Sequence, residues 1–264
     1  MRITLLVDNT AKENFAAEFG LAMLLEREGR TILFDTGAGT AMAGNLKAAG
    51  TAPETVKEVI LSHGHFDHTG GLAQLAPQRI FCSPRITDGH FSLHDDGSVY
   101  DITMPLASKA VLEKTECCFI SEFTDIGSGM MLSGKVPRVS GEDCGGNFFH
   151  DRQCSVVDNI CNEQFLLTSD GILVSGCCHA GIINSITHAK NIHPDISVHT
   201  VIGGLHLCHA DKKRLKETAD FLVKSKIKQL FLLHCTGEEA IRELRFLLPE
   251  CSIHTPVAGD VIDL

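Results

Sequence analysis

The tightest constraint on this chain is the hexapeptide His63-Gly64-His65-Phe66-Asp67-His68, three imidazoles and a carboxylate within one short turn. Imidazole and carboxylate suit zinc, iron or manganese, and four such donors in six positions can serve one ion or be split between two. Val59-Ile60-Leu61-Ser62 reads as a buried strand before the turn, and Thr69-Gly70-Gly71-Leu72 as the small-residue opening of a helix after it. The donors are therefore expected on a strand-to-helix loop. His63 and His65, at alternating positions, can face one side while Asp67 and His68 turn to the other, so one loop could feed two adjacent metals.

Two later histidines also stand at the ends of apolar runs. Gly171-Ile172-Leu173-Val174-Ser175 leads into Gly176-Cys177-Cys178-His179-Ala180-Gly181, and Leu230-Phe231-Leu232-Leu233 leads into His234-Cys235-Thr236-Gly237. Donors on strand ends are held more rigidly than donors on long loops.

This set of motifs resembles the metallo-β-lactamase superfamily, whose members carry His-x-His-x-Asp-His in an αββα sandwich. Thr31-Ile32-Leu33-Phe34-Asp35-Thr36-Gly37 is similar to the strand and Asp-Thr-Gly turn that the superfamily places behind its metal site. The resemblance implies an α/β (α+β) fold, a four-layer αββα sandwich. It also implies a first metal on His63, His65 and His179 and a second on Asp67, His68 and His234. The family's bridging aspartate is missing, because the strand from Val198 to Leu207 holds no acid. His206 is the nearest stand-in, yet a neutral imidazole cannot bridge two cations as a carboxylate can. Either the second site is weakened or His206 acts on substrate. Val7-Asp8-Asn9, Glu18-Phe19-Gly20-Leu21, Gly134-Lys135-Val136-Pro137-Arg138 and Gly203-Gly204-Leu205-His206-Leu207 complete the likeness. Together they resemble the branch that includes a dihydropterin-aminobenzene ribofuranosyl phosphate synthase, a transferase that joins a pterin methyl diphosphate to an aromatic ribosyl phosphate.

A length of 264 residues suits one domain spanning the chain, with an irregular insert at about 84–162. Apolar residues make up 44% and aromatic ones 6%, which predicts an aliphatic and Phe-based core. A formal charge of −10 argues against nucleic acid as a partner, since phosphate contacts need clustered cations. It leaves an anionic small molecule open, because a bound divalent ion reverses the local field. Apolar runs fall short of the roughly 18 residues of a membrane span, and the opening Met1-Arg2-Ile3-Thr4-Leu5-Leu6-Val7-Asp8 is too soon polar for a secretory signal. The 11 cysteines are odd in number and lack a Cys-x-x-Cys pair, so a reducing, cytoplasmic setting is expected rather than a disulfide framework. Most are expected as small buried hydrophobes; Cys178 and Cys235 stand out, each beside a presumed ligand.

Along the chain, strands are expected over Arg2 to Asp8, Leu21 to Glu26, Thr31 to Asp35 and Glu58 to Ser62, with a helix over Ala41 to Ala49 and another from Gly70. A second half is expected to begin near Gln164, with a hairpin turn at Ser169-Asp170-Gly171. Helices Ile182 to Asn191, Lys212 to Lys224 and Glu238 to Leu247 then alternate with strands Ser197 to Ile202 and Gln229 to Leu233. The stretch between the halves holds His90, His94, Asp95, Asp96, the run Gly141 to Asn147 and His150, and reads as a substrate cover. Lys135 and Arg138 are the expected anion binders.

These readings favour an enzyme using one or two divalent metal ions, zinc first and manganese or iron as alternatives, on a small phosphorylated or ester-like metabolite. Metal coordination drops the pKa of water to about 7, and Asp67 could orient that water as well as bind metal. In a synthase-like alternative the metal holds a diphosphate leaving group and water is excluded. A diiron oxygen-reducing role fits less well, because that branch usually puts Glu where His65 stands. A metal or ligand sensor without turnover is the other class that the missing acid leaves in play.

Overall fold

A computed structural model of the chain describes residues 1–143 and 145–264, so Cys144, within the Gly141 to Asn147 run, lies outside the described residues. Along the central strands the side chains alternate between two destinations, and that alternation builds the layers. In Arg2–Val7, Ala22–Arg27 and Arg30–Phe34, the residues Ile3, Leu5, Met23, Leu25, Ile32 and Phe34 enter one apolar cluster, while Ala22, Leu24 and Leu33 enter another. Later in the chain Ile172, Val174, Ile202 and Phe231 join the same inner cluster, and Leu173, Val201 and Leu230 face outward. Successive strand residues point to opposite faces, so strands apolar on both faces must be covered on both. The shared cluster is the interface between two sheets. The outer clusters lie under Met42–Ala48 on one side and under Ile182–Ile192, Lys212–Lys224 and Glu238–Leu247 on the other. The architecture is the expected four-layer αββα sandwich.

Among the described residues each sheet has seven strands. In the first, Arg30–Phe34, Glu58–Ile60, Arg79–Cys82 and Glu116–Phe119 run parallel to one another. In the second, Ile172–Val174, Thr200–Gly203, Gln229–Leu232 and Ser252–His254 do the same. Parallel strands put their carboxyl ends along one edge, and the crevice outside such ends is where α/β sheets gather ligands.

Three expectations need correction. Residues 84–162 are more regular than an irregular insert: Glu116–Phe119 extends the first sheet, and Thr124–Gly127 and Met130–Leu132 pair into the second. Phe91–Leu93, Val99–Asp101 and Phe148–Phe149 form a separate three-stranded sheet. The second sheet thus starts well before Gln164. Strands this short offer too few positions for an alternation to show in sequence. The helix expected from Gly70 begins earlier, as one turn over Phe66–Thr69 followed by a 3-10 segment, Gly70–Gln74. The hairpin at Ser169-Asp170-Gly171 is present between Leu166–Thr168 and Ile172–Val174, and Asp170 is held by Arg27 at 3.0 Å. Every cysteine among the described residues is free, and no described helix is long and apolar enough to cross a membrane.

Candidate metal centre

Three strands, one of the first sheet and two of the second, deliver six donors to one place. Glu58–Ile60 leads into His63, His65, Asp67 and His68, Ile172–Val174 into His179, and Gln229–Leu232 into His234. One donor atom from each of His63, His65 and His179 lies within 4.8 Å of the others, and the same holds for Asp67, His68 and His234. All six residues are buried. The two groups adjoin, with the His63 and His68 ring centroids 4.3 Å apart.

The imidazoles are aimed from behind. Asp35 accepts the Ser62 amide at 2.7 Å on one oxygen, and on the other the Ser62 hydroxyl at 2.6 Å and the His68 Nδ1–H at 2.7 Å. The Ser62 hydroxyl lies 2.9 Å from His63 Nδ1. His234 Nδ1 lies 2.9 Å from Asn9 Oδ1, while Asp8 accepts the His234 amide at 2.9 Å. Glu163 accepts the amides of His179 and Ala180 at 2.6 and 2.7 Å, fixing the turn that presents His179. The contacts to ring nitrogens, from the Asp35 carboxylate to His68, the Ser62 hydroxyl to His63 and the Asn9 amide oxygen to His234, set ring orientation and tautomer for metal ligation. His63 Nε2 and His65 Nε2 are buried with no hydrogen-bond partner. An orphaned buried polar atom costs about 1–3 kcal/mol, and two of them on one donor-lined loop are what a coordinated cation satisfies. The residues therefore fit divalent metal ions.

Close approach explains the glycine inside the hexapeptide. A Cβ at Gly64 would fall 2.6 Å from the Ile86 carbonyl and 2.8 Å from His90 Nε2. Only glycine lets the loop pack against His90, which hydrogen-bonds Asp158 at 2.5 Å and Asn162 at 2.9 Å behind the His65 ring.

Burial, followed by neighbouring imidazoles, pushes His63 and His65 well below the ordinary histidine range, so both are neutral and ready to ligate. Burial works to raise Asp67, but His68 and His234 win and hold it ionised. His68 is the opposite case: burial would lower it, yet Asp67 and Asp35 raise it to about 9. Without metal, this proton stabilises the fold fully below the ordinary value of 6.5, and that contribution is lost as pH rises through about 9. A metal ion bound at His68 would have to displace the proton. Affinity for the second ion is therefore expected to rise at least about tenfold per pH unit from 7 to about 9 and then level off, read by competition with a chromophoric chelator. A flat profile across that window would contradict the assignment of His68.

The other expected site residues divide. His206 lies beside the first group, its ring 4.3 Å from that of His179 and its donor atom grouped with those of Cys177 and His179. Lys135 is exposed, and Arg138 donates to the Asn159 and His179 carbonyls; neither lines the cavity in front of the donors. The cavity's guanidinium is instead Arg214, which pairs with Asp143 and keeps a buried, unpartnered Nε. His94 and Asp95 line the same cavity, while His90 and His150 converge on Asp158. Cys178 turns into the helix-side core near the Ser185 hydroxyl, and its neighbour Cys177 faces the donors. Arg214, Glu163 and Asp158 carried no motif that singled them out, and Cys177 stands within the Gly176 to Gly181 run, where the expectation fell on its neighbour Cys178.

Residues 16–156 match the family model of the Metallo-beta-lactamase superfamily. An uncharacterised protein of Methanocaldococcus jannaschii is 30% identical over 255 residues, which cover 92% of this chain and 93% of that one. The same organism's 7,8-dihydropterin-6-methyl-4-(beta-D-ribofuranosyl)-aminobenzene-5'-phosphate synthase is 30% identical over 246 residues, 86% of this chain and 83% of that one. Among solved structures, Tm1679, described as a metal-dependent hydrolase of the beta-lactamase superfamily, superposes with a TM-score of 0.86 at 27% identity, covering 100% of this chain and 99% of that one.

Proposed function

The chain belongs to the metallo-beta-lactamase superfamily, and on that premise we propose that it is a metal-dependent enzyme acting on a small phosphorylated or ester-like metabolite. His63, His65 and His179 would hold one divalent ion and Asp67, His68 and His234 a second, with zinc the best match to the donors and manganese or iron next. Such an ion supplies Lewis acidity and lowers the pKa of a coordinated water to about 7.

The observation that carries the reading is the opening of this donor set onto a cavity of about 1150 Å³. Phe19, Phe66, Phe148 and Tyr100 give the cavity flat apolar walls, and Arg214 gives it a cation. Such a lining suits an anionic group attached to an organic, ring-bearing one. The ionised Asp67 can accept a proton or orient a water at the mouth of the donor set, and His206 faces the same space. Hydrolysis is the primary reading. Transfer with loss of diphosphate is the second, favoured by the aromatic walls together with the name of the synthase that is 30% identical.

Zinc- or manganese-loaded protein is expected to bind about two ions per chain. It should turn over at least one class among phosphomonoesters, phosphodiesters, carboxylic esters and organic diphosphates, followed by release of phosphate, alcohol or diphosphate. Two tightly held ions with no turnover of any class would defeat the proposal and leave a binding protein.

A further inference from the structure

The strand from Val198 to Leu207 brings no acid to the two donor groups, but the sulfur of Cys177 reaches donor atoms of both. It is buried at 2% exposure and lies 3.1 Å from His68 Nε2. Its Sγ falls within 4.8 Å of donor atoms in three separate groupings: with His63 and His68, with His179 and His206, and with His234 and Cys235. His63 and His179 belong to the first donor group, His68 and His234 to the second. Cys177 is therefore within reach of both. His206, expected to replace the missing acid, has its ring against His179 and its donor atom grouped with those of Cys177 and His179. Chemistry separates them further. An imidazole offers one lone pair to the site, whereas a thiolate carries a full negative charge and several lone pairs on one polarisable atom.

We propose that Cys177, as a thiolate, is the ligand shared by the two metal sites, occupying the role of a bridging acid. The inference rests on the metal-dependent reading above. On loading, the S–H bond breaks, its proton leaves to solvent, and the sulfur lone pairs form bonds to the metals with no change of oxidation state. The thiolate adds to Asp67 a second negative charge inside the site. It also biases the site toward zinc, cobalt or iron and away from magnesium, which prefers oxygen donors.

The test uses the full chain loaded with zinc and, separately, with cobalt(II). X-ray absorption at two zinc ions per chain is expected to show a sulfur neighbour at about 2.3 Å beside nitrogen and oxygen neighbours at about 2.0–2.2 Å. Cobalt-loaded protein should show a sulfur-to-metal charge-transfer band that Cys177→Ser abolishes and Cys235→Ser retains. Cys177→Ser should also bind its second ion at least tenfold more weakly. The absorption measurement needs no variant, so a failure of Cys177→Ser to fold leaves the inference open to refutation. Two zinc ions in a shell of nitrogen and oxygen alone would overturn it while sparing the proposed function, as would a band that survives Cys177→Ser or disappears in Cys235→Ser. A chain that takes up no metal at all would overturn both.

Discussion

Replacing His63 by alanine is expected to leave a folded protein that has lost its first metal ion and about a thousandfold or more of its turnover. His63 is fully buried, and its ring meets those of His65, His68 and His179 at 4.5, 4.3 and 4.9 Å. The substitution removes one unpartnered nitrogen along with the ring, so the cost to the metal-free fold is the modest one of a small polar cavity. The loss should appear instead on loading. Metal at 1,000 times its dissociation constant stabilises a native state by about 4 kcal/mol, and His63→Ala should forfeit most of that gain. The measurements are ions per chain, turnover, and thermal midpoint with and without chelator. A variant that keeps two ions and the wild-type midpoint would remove His63 from the site.

Asp35→Ala is the second large effect, and it acts without touching metal. The Asp35 side chain is fully buried and joins Ser62 to His68. Deleting it frees the Ser62 amide and hydroxyl and leaves the charged His68 short of a counter-ion. Breaking a buried pair on one side costs about 3–5 kcal/mol. Loss of a carboxylate that orients a ligating imidazole costs about 10- to 100-fold in metal affinity. At neutral pH the loss of affinity is partly offset, because removing Asp35 also lowers the proton affinity of His68 and so eases metal entry. Affinity is therefore best compared above pH 9, where His68 is neutral in the wild type. Denaturant unfolding of the metal-free protein at pH 6 reads the stability term. Unchanged unfolding there together with unchanged affinity above pH 9 would show that Asp35 plays no part in setting His68.

Much of this layout is legible in the residues. The apolar runs before His63, His179 and His234 are long enough to read as strands, and their polar stops become the carboxyl ends that meet at the site. The strand Thr124–Gly127, the strand Met130–Leu132 and the small three-stranded sheet are not legible, because three or four residues cannot display a period. Cys177 and Cys178 mark another limit. Cys178 adopts a left-handed backbone, with φ of 58°, and past the end of a strand the inward and outward parity can no longer be counted. Arg214 was hidden differently. It sits on Lys212–Lys224 among Lys212, Lys213 and Lys216, where a cation reads as part of a solvated face. Only the approach of Asp143 from a distant loop shows that this one is drawn to the cavity.

The hold of Asp8 on the His234 amide spans 226 residues of chain. During synthesis the hexapeptide leaves the ribosome long before His179 or His234 exists, as four donors with no wall opposite. Contacts of such long range form late, after the local hairpins and parallel units. Capture of metal by the complete donor set is therefore expected after the core has formed and not during its nucleation. An ion held by both donor groups is expected to be captured only once the two ends of the chain have met, and to leave only when they separate.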